Sequence, residues 1–177
     1  MRYRICKTFT VESGHMLSKH PERCRFLHGH TRQIEVVLSS EQLDANDMVC
    51  DFKTIKLAIS DYIDQYDHAM AVNTADPMYP LLKERGQRLV EFKDEDPTTE
   101  VLARSIFEHV ASVIERGDVY SADSSESGCP SSNSAPADSD GVEDASENRG
   151  YRFPAGLRLD RIRVWETPSS WAEYGRD

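Results

Sequence analysis

Residues 3–11 read YRICKTFTV and residues 31–39 read TRQIEVVLS. In both stretches apolar side chains recur at every second position, at Tyr3, Ile5, Phe9 and Val11 in the first and at Ile34, Val36 and Leu38 in the second. A period of two is typical of a strand that buries one face. The two stretches therefore predict neighbouring antiparallel strands joined by a long connection.

The apolar period changes to that of a helix from Phe52 to about Tyr66, with Asp51 as the expected N-cap. A second helix is predicted from Asp96 to about Arg116. An aspartate followed by proline suits an N-cap and the first helical position.

The alternating pattern returns at residues 157–166 and briefly at 171–174, and the loop-like stretch 74–96 contains a possible short strand at 88–92. The main elements thus follow the order ββααββ. This order predicts an α+β fold in which a four-stranded antiparallel sheet carries two helices on one face. With 177 residues, a single domain over residues 1–177 is expected.

Composition excludes several classes of function. The chain has 21 basic and 31 acidic residues, a net charge of −10, which argues against a nucleic-acid or anionic-membrane partner bound through a positive field. It has no apolar run long enough for a membrane span and no apolar signal-peptide stretch near Met1. We therefore expect a cytoplasmic protein with no membrane partner.

The acidity is concentrated in one segment. Residues 121–148 contain seven acidic residues, nine serines and no basic residue. Such a composition offers too little apolar surface to offset the entropy of ordering. It predicts an acidic, serine-rich disordered insert at 118–150, inside the single domain.

His28 and His30 form a His-Gly-His pair. Side chains at i and i+2 of an extended chain point to the same face, so both imidazoles can reach one metal ion. Alone, such a pair is more often two ordinary histidines than a metal site. His15 follows the first strand and is expected to lie beside them. A third imidazole there would complete a three-histidine site with an open fourth position, as in catalytic zinc centres.

Three further sites have more than one interpretation. Cys24, with three residues between it and His28, could be a fourth zinc ligand, a buried structural thiol or a general base. Asp67 and His68 could pair as carboxylate and imidazole, or His68 could simply interact with the end of a helix. Glu166, taken alone, would be an ordinary exposed acid.

Taken together, these motifs resemble the 6-pyruvoyltetrahydropterin synthase superfamily, and most closely the bacterial 6-carboxytetrahydropterin synthases of queuosine and deazapurine biosynthesis. The gap of three residues between Cys24 and the His-Gly-His pair is that of the bacterial carboxy-type enzymes, whereas the animal pyruvoyl-type enzymes have a longer one. The matching segments, in family order, are residues 9–15, 24–30, 48–52, 66–68, 97–103 and 165–167.

The resemblance implies the tunnelling fold (T-fold), in which the sheets of several subunits join into a barrel and active sites lie between subunits. It implies a homo-oligomer, either a trimer-based ring or a hexamer of two stacked rings. It also implies that His15, His28 and His30 bind Zn²⁺, that Cys24 is the proton acceptor, and that Asp67 with His68 forms a relay shared with it.

For the substrate, the resemblance implies 7,8-dihydroneopterin triphosphate, with Glu166 holding the pterin edge and Thr99 and Glu100 nearby. Residues 19–32 contain four basic residues against one acidic residue. We therefore expect Arg25 and Arg32 to hold the triphosphate.

The implied activity is that of a zinc-dependent lyase that forms 6-carboxy-5,6,7,8-tetrahydropterin, acetaldehyde and triphosphate. Two alternatives remain open at this point. One is a pyruvoyl-type synthase, which eliminates triphosphate and keeps the side chain, and the other is a non-catalytic pterin-binding T-fold protein.

Overall fold

Two long antiparallel strands, β1 (Tyr3–His15) and β2 (His28–Ser40), form the centre of the sheet. The computed structural model of the chain describes residues 1–121 and 150–176. Both strands extend beyond the alternating segments that predicted them, and they pair from Tyr3 opposite Ser40 to His15 opposite His28. The pairing therefore continues into the histidine motif itself.

The sheet has six strands in the order β4-β3-β1-β2-β5-β6. Strands β5 (Arg158–Thr167) and β6 (Ser170–Gly175) extend it by antiparallel pairing beyond β2. On the other side, β3 (Ala69–Asn73) pairs in parallel with β1, and β4 (Leu89–Phe92) in parallel with β3. The prediction of a four-stranded antiparallel sheet was therefore wrong, because two short parallel strands make the sheet a mixed one.

Three helices connect the strands. Helix α1 (Phe52–Asp64) begins as predicted, since the Asp51 carboxylate accepts a hydrogen bond from the Lys53 amide at 2.7 Å. Helix α2 (Tyr79–Glu84) lies in the stretch that was expected to be a loop, so the prediction of two helices was also incomplete.

Helix α3 (Thr99–Arg116) begins later than predicted. Its N-cap is Thr98, whose hydroxyl accepts a hydrogen bond from the Val101 amide, and not Asp96. The Asp96 carboxylate is engaged elsewhere, accepting hydrogen bonds from the Ser18 hydroxyl at 2.6 Å, the Lys19 amide at 2.7 Å and the Asn73 amide group at 2.9 Å.

The core lies between one face of the sheet and helices α1 and α3. It is built from the inward-facing side chains of the alternating strands and from one face of each helix, including Ile34, Val36, Leu38, Ile55, Ile59, Leu102, Ile106, Val110, Ile162 and Val164. Each such side chain stabilises the fold by about 1.5–3 kcal/mol through burial. This packing fixes the central strands, and with them the residues at the ends of β1 and β2.

The acidic segment predicted to be disordered falls mostly on residues 122–149, which lie outside the described residues. At its borders, Tyr120 and Tyr151 pair through two backbone hydrogen bonds of 2.7 Å. The described residues on either side of this segment therefore lie next to each other. Among the described helices, none has the length and apolar character needed to cross a membrane.

Candidate active site

Three histidine side chains converge where β1 ends and β2 begins. His15 pairs with His28 across the two strands, and His30 pairs with Ser13, so the three imidazoles share the inner face of the sheet. Their ring centroids lie 4.4–5.3 Å apart. One ring nitrogen from each lies within 4.8 Å of the others, a spacing that could hold one metal ion.

The hydrogen bonds of these rings orient them for coordination. His15 Nδ1 donates to the Pro97 carbonyl at 2.9 Å, and His28 Nδ1 donates to the Phe26 carbonyl at 2.7 Å. A carbonyl only accepts hydrogen bonds, so the proton sits on Nδ1 and the lone pair on Nε2 in both rings. His30 Nε2 is buried and has no hydrogen-bond partner among the described residues. Three nitrogen ligands with an outer shell of carbonyls fit a zinc ion.

Burial keeps two of the three imidazoles neutral. Burial, followed by the nearby Arg32 charge, lowers the pKa of His15 to about 4. The pKa of His30 is also lowered, again chiefly by burial and then by Arg32. At neutral pH both rings are therefore ready to bind a cation without first losing a proton.

A cavity of about 260 Å³ opens beside the histidines. Its lining includes His15, Cys24, Thr99, Glu100, Glu166 and Trp171. Four of the residues predicted for catalysis or substrate binding are thus brought together with one of the metal ligands. A larger cavity of about 570 Å³ lies between α1, β4 and α3, but none of the predicted site residues lines it.

Cys24 lies in a short 3₁₀ turn, Arg23–Arg25, and is partly buried. Its carbonyl accepts a hydrogen bond from the Leu17 amide at 3.0 Å, which fixes the turn beside the end of β1. Cys24 lines the cavity and is not part of the three-histidine group that could share an ion. The role of Cys24 as a general base stays a prediction.

Glu166, near the end of β5, extends towards the histidines. Its Oε1 lies 3.3 Å from His15 Nε2, 3.5 Å from His30 Nε2 and 3.3 Å from Arg32 Nη2. The carboxylate is partly exposed, with 28% of its side chain accessible. It therefore joins the metal centre to the cavity in which a substrate would lie.

Arg32 does not occupy the position expected of a triphosphate ligand. Only 2% of it is exposed, and Nη1 donates to the Ser13 hydroxyl at 3.1 Å. The reason is its register, because Arg32 has the same strand parity as His30 and Ile34 and so faces inwards. The expectation that Arg32 holds the triphosphate is therefore corrected.

Arg25, the other expected triphosphate ligand, is exposed. Its guanidinium lies 5.7 Å from the ring centroid of Phe26, and it is not part of the cavity lining. A contact of Arg25 with the triphosphate therefore stays a prediction.

Asp67 and His68 form a defined pair between α1 and β3. Asp67 Oδ2 accepts from His68 Nδ1 at 2.8 Å, and Oδ1 accepts from the Glu12 amide at 2.7 Å. The Glu12 hydrogen bond, followed by that of His68, lowers the pKa of Asp67. The His68 backbone has a φ of 50°, and its side chain is 76% exposed. Neither residue is among those that line the cavity beside Cys24.

Comparison with known proteins identifies the family. A family profile described as 6-pyruvoyl tetrahydropterin synthase matches residues 4–129. The chain belongs to the 6-pyruvoyl tetrahydropterin synthase family.

Two curated relatives of this pterin synthase are named 6-carboxy-5,6,7,8-tetrahydropterin synthase. A 6-carboxy-5,6,7,8-tetrahydropterin synthase from Aquifex aeolicus is 31% identical over 134 residues, covering 65% of this chain and 83% of the relative. A protein of the same name from Haemophilus influenzae is 26% identical over 182 residues, covering 97% of this chain and 98% of the relative. The second match spans the acidic segment and reaches Glu166.

Solved structures show the same fold. An uncharacterised protein from Wolinella succinogenes superposes with a TM-score of 0.69 at 20% identity, covering 100% of this chain and 99% of its own. The 6-pyruvoyl tetrahydropterin synthase from Caenorhabditis elegans gives 0.57 at 17% identity, covering 100% and 97%. The six-stranded mixed sheet with three helices is thus an arrangement of the T-fold.

Sequence analysis missed two contributors to this pterin synthase site. Trp171 on β6 lines the cavity, and the Pro97 carbonyl sets the tautomer of His15. A tryptophan in a short terminal strand next to Glu166 is a signal that could have been used. A backbone carbonyl leaves no signal of its own in the sequence.

Proposed function

We propose that this protein is a zinc-dependent 6-carboxy-5,6,7,8-tetrahydropterin synthase that acts in queuosine or deazapurine biosynthesis. It converts 7,8-dihydroneopterin triphosphate into 6-carboxytetrahydropterin, acetaldehyde and triphosphate. The observation that supports this most is the set of three converging imidazoles beside a cavity lined by a cysteine outside the ligand group. The names of the curated relatives support the carboxy-type product.

His15, His28 and His30 would hold the ion through Nε2. Bound zinc would acidify the hydroxyls of the substrate side chain and polarise the carbonyl that forms from them. The Pro97 and Phe26 carbonyls fix the orientation of two of the rings before an ion binds.

Cys24 would act as the base. A thiolate can accept a proton from the substrate side chain, and its place outside the ligand group leaves the sulfur free to do so. Glu166 would hold the pterin, because the ring edge presents neighbouring N–H donors that a carboxylate accepts in pairs. Thr99 and Glu100 lie in the same cavity and would complete that pocket.

The Asp67–His68 pair would serve a site formed with a neighbouring copy of the chain. The pair is oriented, exposed and outside the cavity of its own subunit. A trimer-based ring, or two stacked rings in a hexamer, would bring His68 of one copy towards Cys24 of another. Asp67 would keep the proton on Nδ1 of His68 and leave Nε2 for proton transfer.

The triphosphate would contact the exposed basic turn around Arg25. Locally this turn is positive, although the whole chain has a charge of −10. We place the reaction in the cytoplasm, with the pterin triphosphate as the small-molecule partner and with no nucleic-acid or membrane partner.

Incubation of the zinc-loaded protein with 7,8-dihydroneopterin triphosphate tests the proposal. We expect mass spectrometry to detect 6-carboxytetrahydropterin and an aldehyde assay to detect an equal amount of acetaldehyde. A product that retains the side chain, with no acetaldehyde, would instead identify a pyruvoyl-type synthase. Binding of the pterin without turnover would leave the non-catalytic interpretation.

A further inference from the structure

Arg32 is a buried cation with few partners. It lies on the inner face of β2, between His30 and the apolar core, and is 2% exposed. Its Nη1 donates to the Ser13 hydroxyl, and its Nη2 lies 3.3 Å from Glu166 Oε1 and 3.2 Å from both ring nitrogens of His15. Its Nε is buried and has no hydrogen-bond partner among the described residues. Within the described part of the chain, Glu166 is the one carboxylate that forms an ion pair with it. A guanidinium removed from water needs such a partner.

Glu166 contacts both Arg32 and two of the proposed metal ligands. The contacts that it makes with Arg32, His15 and His30 all involve the same oxygen, Oε1. The Nε2 atom of His15 carries a lone pair, because Nδ1 donates to the Pro97 carbonyl. Arg32 Nη2 lies 3.2 Å from His15 Nε2 and 3.3 Å from Glu166 Oε1, so it is the cation that these two acceptors share. A metal ion on the three nitrogens would replace it at His15 and would draw Oε1 towards itself.

The geometry opposes that movement. Oε1 of Glu166 lies 3.3 Å and 3.5 Å from Nε2 of His15 and His30, close enough to join them on one ion, but the same oxygen is already within ion-pair distance of the Arg32 guanidinium. Arg32 is held in turn by Ser13 on the neighbouring strand. The arginine thus competes with the metal for the same oxygen from a fixed position.

We propose that Arg32 is a positioning residue that holds Oε1 of Glu166 and so keeps this carboxylate out of the coordination shell of the metal. The fourth coordination position then stays open for a ligand, and Oε2 remains available to hydrogen-bond donors in the cavity. The assignment of those donors to a pterin rests on the proposed function. The effect on coordination does not depend on it.

Cobalt(II) absorption of the substrate-free protein tests this inference, because the visible bands of Co²⁺ report the number and type of its ligands. We expect Arg32→Met, which removes the charge at similar volume, to change the spectrum as Glu166 becomes a ligand. The double variant Arg32→Met/Glu166→Gln should return to the wild-type spectrum. In competition with a chelator, Arg32→Met should bind Co²⁺ more tightly, by roughly the tenfold or more that outer-shell partners typically control, and the double variant should lose this gain.

Two further variants make the result decisive. Arg163 lies on the same strand as Glu166 but on the opposite face, where it pairs with Glu173 at 2.7 Å. Arg163→Met is therefore the matched control and should keep the wild-type spectrum. Glu166→Gln with Arg32 intact should also leave the spectrum unchanged, and this test holds even if Arg32→Met fails to fold.

A changed spectrum in Glu166→Gln would overturn the inference, because it would make Glu166 a ligand in the presence of Arg32. An unchanged spectrum in folded Arg32→Met, or wild-type protein that binds no Co²⁺, would overturn it as well. These spectra are recorded without substrate. A protein that binds Co²⁺ as expected but does not convert the pterin would therefore disprove the proposed function and leave the inference standing.

Discussion

His15 and His28 face each other across β1 and β2, with ring centroids 4.4 Å apart, and each donates its Nδ1 proton to a backbone carbonyl. The backbone thus fixes both the tautomers and the orientations of two ligands before any ion binds. The third ring, His30, is held on the same face by the two-residue spacing of the strand. This relationship makes the end of the central hairpin a preorganised site for one cation.

Replacement of His30 by alanine should abolish stable zinc binding without unfolding the protein. His30 is only partly buried and its Nε2 has no hydrogen-bond partner within the described residues, so the fold loses little when the ring is removed. The zinc affinity should fall by more than the ~10–100-fold that loss of an outer-shell partner costs. Metal analysis of dialysed protein, with circular dichroism for folding, checks this.

His20→Ala is the matched control, because His20 accepts a hydrogen bond from the Glu22 amide and is not part of the ligand group. It should retain zinc. Retention of a full equivalent of zinc by His30→Ala would contradict the assigned ligand set.

Replacement of Cys24 by alanine should lower kcat by about 10²–10⁴-fold, the range typical of a lost acid–base group. Zinc content should remain at the wild-type level, because the thiol lies outside the ligand group. Steady-state kinetics and metal analysis on the same preparation measure both. Cys6→Ala, at an exposed cysteine on β1, should change neither quantity. Loss of zinc from Cys24→Ala would show that Cys24 is a ligand.

Mixing two inactive variants should restore activity if the site is shared between subunits. Cys24→Ala and His68→Ala each lack one of the paired groups, but a mixed oligomer contains sites with both. Random assembly at equal amounts should recover roughly a quarter of wild-type activity, because about one neighbouring pair in four joins two intact groups. The assay is turnover after the variants are refolded together. Absence of any recovery from correctly assembled mixtures would place the relay within one chain.

Much of the site was predictable because it lies on the most regular part of the sequence. The alternation at residues 3–11 and 31–39 set the central hairpin, and the parity of the strands placed His28 and His30 on one face. The same alternation also predicts the face on which Arg32 lies, because Arg32 is in phase with Ile34 and therefore faces inwards. The net positive charge of residues 19–32 suggested an exposed position for Arg32, but the strand register places this residue on the buried face.

The parallel pairing was not predictable from local pattern. The possible short strand at 88–92 is present as β4 (Leu89–Phe92), but Ala69–Asn73 was not predicted because it is too short to show a clear period. The parallel pairing of β3 with β1 joins segments that lie far apart in the sequence, and β4 in turn pairs with β3. The late start of α3 has a similar cause. Asp96 has the residue type of an N-cap, but its carboxylate binds Ser18 and Asn73 through tertiary contacts.

Replacement of Asp96 by alanine should destabilise the fold in a pH-dependent way. Burial alone would raise the pKa of Asp96, but hydrogen bonds, led by that of the Ser18 hydroxyl, outweigh it and hold the pKa below its usual value. A carboxylate with a lowered pKa stabilises the fold at pH values above its unfolded pKa of about 3.9, and this contribution disappears as the pH falls through the folded pKa. At neutral pH the loss should be about 1–3 kcal/mol, because the donors lose their buried acceptor.

Urea unfolding at pH 7 and at acidic pH measures this difference. We expect the gap between wild type and Asp96→Ala to be widest at neutral pH and to shrink below about pH 4. Glu95→Ala is the control, because its partly exposed ion pair with Arg104 should contribute less than about 1 kcal/mol. A gap that is the same at both pH values would show that ionisation of Asp96 does not contribute.

X-ray absorption spectroscopy at the zinc edge of the zinc-loaded, substrate-free protein distinguishes a three-histidine site from one that includes the cysteine. We expect a shell of imidazole nitrogens at about 2.0–2.1 Å that corresponds to His15, His28 and His30, with no sulfur neighbour. A sulfur scatterer at about 2.3 Å would place Cys24 on the metal and contradict its role as the free base.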